Sequence, residues 1–163
     1  MNRKDDLLET LRRSFDGDAW HGPAVLDTLS EVTAEQASWQ PPQGAHTIWE
    51  IALHIASWAN EVAQRLEGGK PGAPKDGDYP KPTGSWEDAI GRVRAARDRL
   101  LEVVERLSDS ELNKLIGSNH NAELATGFTY AGSIEGLAQH NAYHAGQIRT
   151  LLRISGALGQ GLG

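Results

Sequence analysis

Apolar residues recur along this chain at intervals of three and four, in four separate stretches, and no stretch alternates apolar and polar residues as a half-buried strand would. The first stretch runs from about Lys4 to Val32, with Leu7, Leu8, Leu11 and Phe15 followed by Val25, Leu26 and Leu29. Asp16-Gly17-Asp18 is expected to break it, and Gly22-Pro23 suits a restarted first turn, so the interruption falls near Asp16–Gly22. The second stretch, 47–67, carries Ile48, Ile51, Ala52, Ile55, Ala59, Val62 and Leu66 on one face. Thr47 with Glu50 three residues on is a capping-box pattern, and Gly68-Gly69 supplies the stop. The third, 85–107, opens with the same device in Ser85 and Asp88 and has Trp86, Ile90, Val93, Leu100, Val104 and Leu107 as its stripe. The fourth, 131–154, turns Ile134, Leu137, Ala138, Ala145, Ile148 and Leu152 inward, with Gly156 as its stop and a mobile tail expected over 158–163.

Between the second and third stretches lie 17 residues, 68–84, with five glycines and four prolines, which excludes both helix and central strand. Its Gly-Gly-Lys lacks the spacing and the following Ser/Thr of a phosphate-binding loop. Residues 109–116 add a short turn, and 117–130 read as a polar loop. Four amphipathic helices in 163 residues predict an all-α fold, a four-helix bundle forming one domain over 1–163. The 68–84 segment is long for a hairpin between antiparallel neighbours and is expected to carry the chain across the bundle.

Composition narrows the chemistry. Sixteen Lys+Arg against 22 Asp+Glu leave a net charge of −6, so no basic footprint for nucleic acid is present. The absence of cysteine excludes disulfides, thiolate catalysis and Cys-based metal sites. No apolar run approaches the ~18 residues of a membrane span, and the charged start Met1–Asp6 leads into no signal core. The expectation is a cytoplasmic protein with neither membrane nor nucleic acid as partner.

Six histidines remain. His140 and His144 stand at i and i+4 on one helical face, a spacing by which helices chelate zinc and related metals. His54 lies about 100° from the centre of its helix's stripe, and His140 and His144 about 100° and 60° from the centre of theirs, all on flanks that border the core. Side chains on such flanks can converge on one ion at a bundle seam. Three imidazoles leave coordination positions open, as catalytic sites do. His140-Asn141-Ala142-Tyr143-His144 has the histidine spacing of a zinc-peptidase helix, but Asn141 replaces the general-base Glu. Glu61, one i+7 step beyond His54, is a fourth ligand, a base or simply a solvated carboxylate. His46 is a second ligand or a cap, and surface or structural roles are expected for His46, His120 and His21 alike. Trp58 shares the flank of His54 and either lines a cavity or packs in the seam. Gln147, one turn after His144, is placed to support a ligand. Tyr143 points toward the helix back, and the run Arg92, Arg94, Arg97, Arg99 reads as a solvated face.

The stretches HTIWEIALHIASWANEV (46–62) and HNAYHAGQIRTLLR (140–153), preceded by AWHGPAVLDTLSEVT (19–33), resemble the DinB/YfiT-like superfamily of metalloenzymes, in the family's order and over nearly the whole chain. The resemblance implies a four-helix bundle with an unusual crossover. It carries a metal triad onto His54, His140 and His144, with zinc, nickel or iron as the divalent ion. It further implies a homodimer and a small-molecule transferase or hydrolase chemistry, in some relatives with a low-molecular-weight thiol as cosubstrate. The alternative is a non-catalytic metal-binding stress-response module.

Overall fold

The computed structural model describes residues 2–159, and side chains through residue 156. Among the described residues six α-helices form: α1 (Arg3–Phe15), α2 (Val25–Ser30), α3 (Ala34–Ser38), α4 (Ile48–Leu66), α5 (Trp86–Arg106) and α6 (Tyr130–Gly159). Thr47 and Ser85 cap α4 and α5 through the reciprocal bonds expected of them, each side chain accepting from the third helical N–H while the acid at that position accepts from the cap's own N–H. The four long helices, α1, α4, α5 and α6, make the bundle, and its core is one continuous cluster around Leu11, Phe15, Ile51, Ile55, Leu100, Ile134 and Ile148.

Contacts at the helix ends fix the directions. Trp49 and Trp86 meet edge-to-face at the starts of α4 and α5 (5.6 Å between rings), while Glu67 at the end of α4 pairs with Arg99 and Arg106 near the end of α5. The two helices therefore run parallel. Helix α1 is antiparallel to α5, since Lys4 Nζ donates to the Glu105 carbonyl and Asp16 pairs with Arg97. Helix α6 is antiparallel to α4, its first turns lying beside Val62 and Trp58 and its middle beside His54. Residues 68–84 consequently return along the whole of α4, passing Glu61 at Gly72, His54 at Asp78 and Glu50 at Lys81. This is the crossover that the length of the segment predicts.

Three expectations are corrected. The first stretch breaks at Asp16 and restarts as α2, as expected, but beyond its end at Val32 a short helix that the four stripes do not include, α3, opens on the capping box of Thr33 and Gln36. Gly156 does not stop α6, which continues through Gly159; a single glycine inside a helix costs only about 1 kcal/mol. The rest of the tail, 160–163, lies outside the described residues.

The third correction concerns the polar loop. After a short 3-10 turn at Glu111–Asn113, the chain forms an antiparallel hairpin, β1 (Leu115–Asn121) and β2 (Thr126–Thr129). Only Ile116 is buried in β1, so the strand has no alternation to betray it. Gly127 takes φ +82°, and a Cβ there would approach within 2.7 Å of His120 Cα across the hairpin, which glycine alone avoids. Among the described residues no helix is long and apolar enough to cross a membrane.

Candidate metal centre

His54 on α4 and His140 and His144 on α6 meet in the seam between those helices. His54 and His144 are buried and His140 nearly so. His54 Nε2 lies 2.9 Å from His140 Nε2, which in turn lies 3.1 Å from His144 Nε2. Separations of this size suit adjacent donors on one ion with bonds of about 2.0–2.1 Å.

The outward nitrogens decide which atoms face the centre. Nδ1 of His54 is 2.7 Å from the Asp78 carbonyl oxygen, which can only accept, so the proton sits on Nδ1 and Nε2 presents a lone pair. Nδ1 of His144 donates in the same way to Gln147 Oε1 at 2.9 Å, the supporting role the spacing suggests for Gln147. Among the described residues His140 Nδ1 has no partner. Two lone pairs thus converge on His140 Nε2, which carries at most one proton and can satisfy only one of them. No protonation state of the trio balances its own hydrogen bonds, whereas a cation accepts all three lone pairs at once. The donor set therefore fits a divalent ion.

Burial also keeps the rings neutral. It pushes His140 down to about 3, helped by the neighbouring His144 and His54, and His144 down to about 4 against the bond from Gln147. His54 is lowered for the same reason, with Asp78 opposing. Neutral imidazole is the form that binds metal.

The crossover segment supplies two residues that sequence reasoning missed. Tyr79 stacks on His54 (4.1 Å, 9° between planes) and on His46 (3.5 Å, 6°), and two rings cannot share one face, so it lies between them. Asp78 accepts from Trp58 Nε1 at 2.7 Å besides holding His54. Neither contact has a local signal, since the partners are 20 and 24 positions away.

Other candidates lie elsewhere. His46 is half-buried against Tyr79 and Glu50, away from the centre. His21 is exposed, and His120, also exposed, lines together with His140 a cavity beside the centre. Glu61 does not join the histidines: its carboxylate binds Arg65 Nε at 2.7 Å and accepts from the Gly72 N–H. Arg65 also donates to the carbonyls of Gly72, Leu124 and Ala125, so this buried pair ties the crossover and the hairpin turn to α4. Asn141 faces α1, donating to Ser14 Oγ at 2.9 Å, and Tyr143 is exposed. Arg97 and Arg99 pair with Asp16, Asp98 and Glu67 at the surface.

A family model described as the DinB superfamily matches residues 19–148, most of the chain and all three histidines. The chain belongs to the DinB superfamily. Among solved structures, this DinB chain is similar to a DinB-like protein from Bacillus cereus ATCC 10987, with a TM-score of 0.62 and 21% identity over 92% of this chain and 86% of the other. It is similar also to the colibactin self-resistance protein ClbS, solved in complex with double-stranded DNA, with a TM-score of 0.62 and 14% identity over 91% and 94%. At these identities the likeness speaks for the DinB fold alone. No curated protein matches the chain.

Proposed function

We propose that this DinB-superfamily chain is a metal-dependent enzyme, a transferase or hydrolase acting on a small molecule, with a low-molecular-weight thiol as candidate cosubstrate. The observation that carries the reading is the convergence of three Nε2 donors whose hydrogen bonds no proton arrangement can balance. His54, His140 and His144 would hold the ion, which is zinc, nickel or iron on the chemistry of three nitrogen donors. When bound, such an ion supplies Lewis acidity and lowers the pKa of water or a thiol, which gives a nucleophile near neutral pH to a protein without cysteine.

The chain's own residues do the rest. Asp78 and Gln147 fix the tautomers of His54 and His144, so that Nε2 of each faces inward without rearrangement. Tyr79 and Trp58 cover the His54 side and exclude water. A cavity of about 340 Å³ reaches the centre at His140, which gives a small molecule access to it. Assembly as a homodimer belongs to the same reading and is read from a solution mass.

The test is a turnover screen of the metal-loaded protein with water, glutathione-like thiols and several classes of electrophile. Turnover that disappears on chelation and returns with metal supports the enzyme. A fully loaded protein inert to every combination leaves a metal-holding module without turnover as the reading.

A further inference from the structure

The cavity beside His140 is walled by α4 and α6 and roofed by the hairpin, with Trp58, Val62, Leu137 and Phe128 among its apolar surfaces. Its floor on α6 is open because Gly132, Ser133 and Gly136 are small, and a Cβ at Gly136 would meet nothing within 4 Å. Trp58 is a fixed wall: its Nε1 is held by Asp78, and the Arg65 guanidinium lies 5.5 Å from its ring. Arg65 is the formal cation of the lining, and it is fully engaged by Glu61 and three backbone carbonyls. The lining thus offers an anion no free lysine or arginine and a cation no carboxylate; its other imidazole besides His140 is that of His120, which lies edge-to-face against Phe128.

We infer that this cavity binds an uncharged, largely apolar molecule of about two fused rings, seated against Trp58 and under Phe128. The volume sets the size, being about twice the ~150 Å³ that holds a single benzene ring. The absence of a free charge in the lining sets the neutrality, since a buried ion without a counter-charge is costly to desolvate. The assignment of this molecule as the substrate rests on the enzyme reading above; its binding does not.

The experiment measures affinity for 2-naphthylmethanol, 2-naphthylmethylammonium and 2-naphthoate by calorimetry and ligand-observed NMR, on the protein as purified and after chelation. The alcohol is expected to bind at least fivefold more tightly than either ion to the chelated protein. Gly136→Leu and Ser133→Leu are expected to weaken it at least tenfold, with helix content and metal content unchanged. Equal affinity for the three probes, tighter binding of an ion in the chelated protein, or undiminished binding in both filled variants overturns the inference. Metal content is read separately, so failure of the metal reading with the alcohol still bound is recognised as such.

Discussion

His54 and His140 bring their Nε2 atoms to 2.9 Å although 86 residues separate them, and each arrives on a helix packed independently into the core. The contact is therefore set by how α4 and α6 pack and not by local chain geometry. Substituting any one of the three histidines by alanine should leave the bundle folded and lower metal content more than tenfold. Elemental analysis of His54→Ala, His140→Ala and His144→Ala beside His120→Ala and His21→Ala, after identical purification, checks this. Equal content in all five variants would remove the centre.

Acid should destabilise the metal-free protein through the same residues. His140 and His144 fall to about 3 and about 4 in the folded state, chiefly through burial, against about 6.5 in the unfolded chain. Between those values the unfolded state binds protons that the folded state refuses, so stability is complete above pH ~6.5 and is lost as pH falls toward 3–4. Each histidine contributes a slope of up to about 1.4 kcal/mol per pH unit in that window. Thermal unfolding of chelated protein from pH 7 to pH 4 should show the decline, and His140→Leu should flatten it.

Gln147→Leu removes the acceptor that orients His144 without touching the centre itself. Metal affinity should fall about 10- to 100-fold, as it does when such supporting partners are lost. Competition against a chromogenic chelator measures the change, and Gln147→Glu, which retains the acceptor, should restore most of it.

The pair of Glu61 and Arg65 is buried and holds two loops. Arg65→Ala leaves the carboxylate without its partner and frees the carbonyls of Gly72, Leu124 and Ala125, so a loss of about 3–5 kcal/mol is expected in chemical denaturation. Hydrogen exchange should rise first in the hairpin turn, ahead of the helices.

The sequence carried those features that depend on near neighbours. Thr47 with Glu50 and Ser85 with Asp88 marked two helix starts, the apolar stripes marked the buried faces, and the i, i+4 pair of His140 and His144 marked one side of the centre. The hairpin escaped because a strand with one buried residue, Ile116, has no period, and what ties its turn down, the bonds from Arg65 on α4, comes from 59 and 60 positions away. Asp78 and Tyr79 escaped for a related reason: a Gly- and Pro-rich segment gives no sign of which of its residues will touch a distant helix. Helix α3 was in fact written in the capping pair Thr33 and Gln36, but five residues with one buried position, Ala37, form no apolar stripe.

Because α4 and α5 point the same way, the chain must travel back the full length of α4, about 28 Å, before it can begin α5. Seventeen residues reach about 56 Å when extended, twice the distance needed. The surplus is taken up in a detour that lays Tyr79 over His54 and brings Asp78 to its ring. A stretch imposed by connectivity alone thus furnishes a wall of the centre. Asp78 and Tyr79 belong to no helix, so this return path is where the surroundings of His54 can be altered without changing a residue of the helical stripes that build the bundle.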